Sequence, residues 1–305
     1  IDAWGDALRT GARPIERRSL GAGISMLAAP IPPITQRFAA GAAWRRMDEF
    51  ERAAVASAQL AWTDAGLQLS RDGRADVAVI SGTNAGSIGS IVDYAEQLRH
   101  GEPDPAMFPR TAINAASGHV CTVMGLNGPN LSISTGGASS VAAIETAVGL
   151  IERGEVDVAL VCCLDDMPER VLRYAHGSGR DRPPGRITDA GVRPFDVDAD
   201  GTAPGGAAVT LVLERDGHAG DRGARPWARV VSTALVRGNA RGDVATTDGW
   251  RSAMARATDL AAVDLGSVDV CFAAASGTAE ADLAEAEAIA ATLGSSCRVT
   301  APKSI

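Results

Sequence analysis

The sequence predicts an α/β fold built from two halves of similar plan, stacked as five layers in the order α/β/α/β/α. Strand-like runs alternate with amphipathic helical stretches both before and after residue 215, as in a duplicated α/β architecture. The 305 residues suffice for two half-domains, and 46% hydrophobic with only 4% aromatic content indicates a core of aliphatic side chains. A simple doubly wound sheet is the competing architecture.

The clearest unit of this plan is a strand, a glycine turn and a helix over residues 128–153. Apolar and polar residues alternate over 131–134, and from residue 138 the apolar positions recur at helical spacing. The turn between them is Thr135-Gly136-Gly137. Free N–H groups at such a helix N-terminus favour negative charge, so an enzyme would place its nucleophile at this turn. This chain has Gly137 there, which has no side chain.

The rest of the first half contains one strongly marked helix. Residues 1–46 carry scattered prolines and are expected to be loop-rich. Residues 48–65 predict a helix, because Asp48 can cap it, acidic residues fill its first turn and Gly66 can end it. The other expected elements are a strand at 77–80, a loop at 81–84, a helix at 88–98 and a buried strand at 156–163.

The second half repeats the alternation. The expected elements are a strand at 227–238, a helix at 249–262, a strand at 268–274, a helix that includes Asp282 and a strand at 297–300. The predicted division is therefore a first half over 1–215 and a second half over 216–305. The second half is expected to be incomplete at its end.

Composition and charge exclude several classes of partner. The net charge is −8 and no basic block stands out, so nucleic acid is not an expected partner. No apolar run approaches the ~18 residues of a membrane span, so no membrane is expected either. The five cysteines show no paired metal spacing, which predicts no metal site and favours free thiols in a reducing cytoplasm.

Residues 131–140 resemble the nucleophile elbow of the β-ketoacyl synthases, the condensing enzymes of the thiolase fold. In that family a strand ends in a turn that presents the catalytic cysteine, and this position falls on Gly137. Further family-like motifs follow in the same order, at 108–128, at Arg193-Pro194-Phe195-Asp196, at Ser276-Gly277-Thr278 and at Ala301-Pro302-Lys303. The resemblance covers nearly the whole chain and implies the thiolase-like, duplicated α/β/α/β/α fold.

The departures from the family pattern fall on its catalytic positions. Gly137 replaces the cysteine, and Ser276 replaces the histidine of the family's His-Gly-Thr motif. Thr202 and Gly206 replace a gating phenylalanine and a glutamate. Lys303, the only lysine in the sequence, lands on the motif lysine and is retained. The resemblance therefore implies that no catalytic set is complete and that the chain is inactive alone.

Substitute nucleophiles find little support in the sequence. Cys162 and Cys163 end an apolar strand, where burial would raise a thiol pKa. Asp165 and Asp166 are adjacent, so on a turn their carboxylates face different ways. Residues 139–140 are serines in the first turn of the predicted helix, where they are expected to bind free N–H groups.

A ketosynthase-like chain without the cysteine and the first histidine is similar to the chain length factors of bacterial type II polyketide synthases. The resemblance implies a non-catalytic subunit that pairs with a catalytic ketosynthase and shapes the tunnel of the growing polyketide chain. It implies no cofactor, because acyl carrier protein delivers acyl chains on its phosphopantetheine to the partner. The alternatives are a malonyl decarboxylase or acyltransferase of altered chemistry, and a structural paralogue with no polyketide role.

The resemblance also assigns an interface and a tunnel gate. In the thiolase fold the strand leading into the elbow pairs across the dimer axis, which implies an interface at Leu131, Ser132, Ile133, Ser134 and Thr135. The gate positions fall on Ala85, Ile88 and Val92, whose spacing predicts one helix face. Side chains of this size would leave a long tunnel. The alternative is that these three residues simply pack in the core.

Overall fold

The computed structural model describes residues 10, 15–21, 24–68, 76–177, 192–199, 201–237 and 246–302. The chain divides into two compact units. The elbow unit comprises Pro30–Val171 and Gly205–Arg229, and the second unit comprises Ile1–Ala29, Leu172–Pro204 and Val230–Ile305. Each unit draws on separate stretches of chain, so this division is discontinuous, and the linear boundary at 215/216 stays a prediction.

The described strands are β1 (Glu16–Gly21), β2 (Ile24–Ala28), β3 (Ala78–Gly82), β4 (Asn130–Ile133), β5 (Val158–Asp165), β6 (Ala207–Glu214), β7 (Val270–Phe272) and β8 (Arg298–Thr300). The described helices are α1 (Gly41–Arg46), α2 (Glu49–Asp64), α3 (Ile88–His100), α4 (Ala115–Met124), α5 (Ser139–Glu152), α6 (Glu169–Gly177), α7 (Asp216–Asp221), α8 (Thr247–Ala261) and α9 (Ala279–Leu293). Short 3₁₀ helices lie at Phe108–Thr111 and Leu265–Ser267. None of the described helices is both long and apolar enough to cross a membrane.

The elbow unit is built on a four-stranded sheet in the order β4-β3-β5-β6. β3 pairs in parallel with β4 and β5, and β6 runs antiparallel to β5. All five residues of β3 and the first five of β5 are buried, as expected of central strands covered on both faces. This confirms the predicted buried strands, with shifted ends, since Ser81 and Gly82 belong to β3 and β5 begins at Val158.

Helices cover both faces of this sheet, so the elbow unit has three layers in the order α/β/α. On one face Val79 and Leu160 pack in a core cluster with residues of α2 and α4. On the other face Ile80 and Val161 pack with α5, including Ala143. Successive strand residues thus point to opposite faces of the sheet. The core clusters on the two faces consist mainly of aliphatic side chains, as the composition indicates.

The helix predicted at 48–65 forms as α2, and local contacts explain it. Asp48 Oδ1 accepts a 2.8 Å hydrogen bond from Glu51 N, and Glu51 Oε2 accepts one of the same length from Asp48 N. This reciprocal pair satisfies two N–H groups that the first turn leaves free. Gly66, at φ +65°, follows the last turn, as predicted.

Two sequence predictions are wrong in the described residues. Part of the entry 1–46 is regular, since β1 and β2 form an antiparallel hairpin and α1 is a short helix. A strand is predicted at 227–238, and the structure describes residues 227–237 of it. No strand forms there. A strand exists only with a pairing partner, and none of the described strands provides one here.

The second unit contains a smaller core under α9. β7 and β8 pair in parallel, and the helices and strands predicted after residue 246 form with shifted ends. Ala275, Ile289 and Leu293 are buried together with Ala273 and Cys297.

One buried acid in the elbow unit gives the fold a pH dependence. Glu51 is fully buried, and its Oε1 lies 3.5 Å from His119 Nε2 on α4. Burial, aided by the Asp48 carboxylate, raises the pKa of Glu51 from 4.5 to about 7, while burial lowers the pKa of His119. Because the folded state holds the Glu51 proton more tightly than the unfolded chain, stability is lost as pH rises from about 4.5 through 7.

Glu51→Gln should remove this loss, because an amide oxygen can accept the Asp48 N–H bond without ionising. Between pH 5 and pH 8 the wild type should lose up to about 3 kcal/mol more unfolding free energy than the variant. Urea unfolding at the two pH values measures this. Glu49→Gln, at an exposed position of the same first turn, is the control. Equal pH dependence of the wild type and Glu51→Gln would contradict the account.

Candidate functional site

The elbow (residues 131–140) adopts the strand–turn–helix geometry that the sequence predicts. β4 ends at Ile133, Gly136 turns the chain at φ +69°, and α5 starts at Ser139. The buried Ser139 closes the turn, because its Oγ accepts a 2.9 Å bond from Thr135 N and donates a 2.6 Å bond to the Gly136 carbonyl. Ser139 therefore holds the turn that precedes the helix; the predicted capping of free N–H groups in the first helical turn is wrong for Ser139.

Gly137 occupies the turn position at which the sequence resemblance predicts a nucleophile, and it carries no side chain. It is exposed, and its φ lies outside the positive range that favours glycine. A Cβ atom placed on Gly137 would meet no heavy atom within 4 Å. The backbone therefore leaves room for a side chain, and the local geometry does not require glycine at this position.

Gly82, in contrast, is required by packing. A Cβ atom there would lie 2.6 Å from the Ser139 carbonyl oxygen and 3.1 Å from Ala143 Cβ. The end of β3 thus runs directly against the first turn of α5, and this contact fixes where the elbow helix begins. No sequence pattern of β3 alone reveals this contact.

Ser276 lies in the second unit, in a turn built on two buried acids of α9. Its Oγ is 3.0 Å from Asp282 Oδ1 and 2.9 Å from Thr278 Oγ1. Asp282 also accepts bonds from Gly277 N, at 3.1 Å, and from Phe195 N, at 2.8 Å. Glu285 accepts two more from the N–H groups of residues 274 and 275. The Ser276 hydroxyl thus takes part in a hydrogen-bond network that holds this turn.

Sequence reasoning placed Asp282 on the helix after Ser276 but missed its structural role. Asp282 is 3% exposed and Glu285 is 4% exposed, and both carboxylates point at the preceding turn. The signal in the sequence is their spacing of three residues near the start of α9, which places both on one helix face.

The gate residues are only partly on a helix. Ile88 is the first residue of α3 and Val92 lies one turn later, but Ala85 precedes the helix in the turn after β3. The prediction that all three share one helix face is therefore wrong for Ala85. All three side chains are half-buried, so none is a fully packed core residue of the elbow unit.

The other candidate groups contribute no nucleophile in the described residues. Burial raises the pKa of Cys162 to about 12 and also raises the pKa of Cys163, so both stay thiols. Thr202, at the predicted gating position, is exposed. Gly206, at the predicted glutamate position, is closely packed, since a Cβ atom there would lie 2.8 Å from Ile31 Cγ1. Lys303 lies outside the described residues. No described His, Cys, Asp and Glu side chains group in a way that could hold a metal ion.

Two family models divide the chain between them. Residues 33–219 match the β-ketoacyl synthase N-terminal domain, and residues 227–305 match the β-ketoacyl synthase C-terminal domain. The chain belongs to the β-ketoacyl synthase family. The elbow of this ketosynthase-family chain lies within the part that matches the N-terminal domain.

Solved ketosynthases share the fold. The ishigamide ketosynthase/chain length factor structure covers 100% of this chain and 76% of its own, with TM-score 0.84 and 26% identity. A β-ketoacyl synthase from Burkholderia phymatum covers 96% of this chain and 74% of its own, with TM-score 0.80 and 26% identity. These matches confirm the predicted thiolase-like, duplicated α/β fold.

A curated catalytic relative is also similar to this ketosynthase-family chain. The 3-oxoacyl-[acyl-carrier-protein] synthase 2 of Vibrio cholerae is 27% identical over 260 residues, which is 82% of this chain and 62% of the relative. The chain therefore spans less than two thirds of that relative's length.

The two glycines of the elbow should respond differently to alanine. Gly82→Ala should cost about 1–3 kcal/mol of unfolding free energy, because its Cβ must displace the backbone of α5. Gly137→Ala should be neutral or stabilise by up to about 1 kcal/mol, since the site is open and the unfolded chain loses freedom. Urea unfolding of both variants measures the difference. A cost at Gly137 as large as that at Gly82 would contradict the described elbow.

Proposed function

We propose that this ketosynthase-family chain is a chain length factor. It pairs with a catalytic ketosynthase and limits the length of the polyketide chain that the partner builds. The observation that carries the proposal is Gly137, which stands on an intact elbow with open space where the family has its nucleophile. The ketosynthase/chain length factor pair among the solved structures of this fold supports it.

The chemistry of condensation argues against independent activity. The reaction needs a thiolate to carry the acyl chain and imidazole groups to polarise the incoming carbonyl. Gly137 offers no atom that could carry an acyl group, and the Ser276 hydroxyl is bonded to Asp282. Acyl carrier protein, named as the substrate carrier of the Vibrio cholerae relative, would deliver chains to the partner subunit.

The open edge of the elbow sheet supports pairing with a partner. Among the described strands β4 bonds to β3 alone, and Leu131 on β4 is 42% exposed. An unpaired strand edge invites pairing with another chain or aggregation. We assign Leu131 to Thr135 to the interface with the catalytic ketosynthase, as the family resemblance implies.

The chain should therefore need its partner. Expressed alone it should aggregate or self-associate, and co-expression with a catalytic ketosynthase should give a stable heterodimer in size-exclusion chromatography with light scattering. Leu131→Arg should lower heterodimer yield at least about tenfold, since a charge would be buried in the interface. Leu60→Arg, at a 61% exposed position on α2, is the matched control. A stable monomer of the chain alone would contradict the proposal.

Ile88→Phe tests the tunnel gate. Ile88 is half-buried at the start of α3, and a larger aromatic side chain there should shorten the tunnel without abolishing the complex. Mass spectrometry of the products should show chains shorter by at least one extension unit. Ile91→Phe, at a 39% exposed position of the same helix, should leave the length unchanged. An intact complex with unchanged products would remove Ile88 from the gate, and loss of the complex would favour a packing role.

A further inference from the structure

The turn between β3 and α3 carries the gate residue Ala85 and leads into Ile88, yet α3 lacks a side-chain cap. Ser87 is the residue before the helix, and its side chain makes no capping bond to the first helical turn. Thr83, Gly86 and Ser87 are buried and only Asn84 is exposed, so the polar groups of this turn need partners within the protein. Some other group must therefore hold this turn in one conformation.

That group is the carboxylate of Asp165. Its Oδ1 accepts bonds from Thr83 Oγ1 at 2.8 Å, from Asn84 N at 2.9 Å and from Ala85 N at 3.1 Å. Its Oδ2 lies 3.1 Å from Asn84 N. One negative charge thus gathers three donors from three consecutive residues, and bonds of this charge-assisted kind are the stronger ones in proteins.

The strand register brings Asp165 to the turn. β5 pairs with β3 in parallel, with Cys163 opposite Gly82, so Asp165 lies two residues past the end of that pairing. The parallel strands end on the same side of the sheet, where the turn begins. A residue about 80 positions away in sequence is therefore the natural partner of the turn.

The same turn is also tied to itself and to the elbow. Thr83 Oγ1, which donates to Asp165, accepts a 2.8 Å bond from Gly86 N. The Asn84 carbonyl accepts a 3.0 Å bond from Ser134 Oγ at the end of β4. Asp165 therefore orders the segment that joins β3 to α3 and that also contacts the elbow through Ser134.

We propose that Asp165 is a positioning residue that sets the place of the gate residues Ala85 and Ile88. The inference rests on the proposed function, since it assigns to Asp165 a share in setting product length. A bulky residue at the gate shortens the tunnel. Loss of Asp165 instead lets the turn move, so the stop becomes imprecise and the products spread over several lengths.

The test is Asp165→Asn in the complex with the catalytic ketosynthase. The amide keeps one acceptor oxygen and turns a donor towards the N–H groups of the turn. Hydrogen exchange of a peptide spanning residues 83–89 should be at least about tenfold faster, as loss of bonds to a charged group predicts. Product lengths should broaden in the same sample. Thr83→Val, which keeps the side-chain shape but removes both the bond to Asp165 and the bond from Gly86 N, should change both readouts in the same direction.

Asp166→Asn is the matched control. Asp166 is the next residue and is half-buried. It lines a cleft with residues 86–90, but the bonds described from donors of the turn to side chains go to Asp165 and Thr83, and none goes to Asp166. Its variant should change neither the exchange of residues 83–89 nor the product lengths. An effect as large as that of Asp165→Asn would overturn the assignment to Asp165.

The remaining outcomes separate this inference from the proposed function. Unchanged exchange in Asp165→Asn would overturn the positioning role. Faster exchange with unchanged products, while Ile88→Phe still shortens them, would overturn the share of Asp165 in length control and leave the proposed function standing. If Ile88→Phe also has no effect in an intact complex, Ile88 is not part of the gate and Asp165 has no share in product length, and the exchange data alone decide whether Asp165 holds the turn.

Discussion

Gly82 lets the end of β3 lie directly against the first turn of α5, and the geometry of the elbow depends on this contact. A Cβ atom at this point would lie 2.6 Å from the Ser139 carbonyl oxygen. With α5 held there, Ser139 can close the glycine turn, and the helix N-terminus stands behind Gly137. The residue after Gly82 begins the turn that carries Ala85, so one close approach positions both the elbow and the segment that leads to the gate helix.

The elbow of this chain separates geometry from chemistry. The strand, the turn and the helix are all present, and the space beside Gly137 is open. Packing explains the retained parts, because Gly82, Ser139 and Ala143 touch whether or not a thiol is present. In the second unit the buried carboxylates of Asp282 and Glu285 hold the turn of Ser276 in a similar way. Both turns are therefore held by contacts that need no side chain at Gly137.

The sequence predicts those parts of the fold that local chemistry determines. α2 follows from its own capping residues Asp48 and Glu51, and the elbow follows from its alternation and glycines. Prediction from the sequence fails where contacts between residues far apart in the chain determine the structure. Ala85 was placed on a helix that starts only at Ile88, because the turn before it is held by Asp165, far away in the chain. The hairpin of β1 and β2 depends on pairing between strands, which periodicity in a single stretch does not reveal.

The proposed function requires that this chain carries no acyl group during polyketide synthesis. The most direct test loads the complex with isotopically labelled acyl groups from acyl carrier protein, digests it and maps the label by mass spectrometry. The account predicts stoichiometric label on the cysteine of the catalytic partner and none on any peptide of this chain, including the one that contains Gly137. A stoichiometric acyl adduct on any residue of this chain would contradict it.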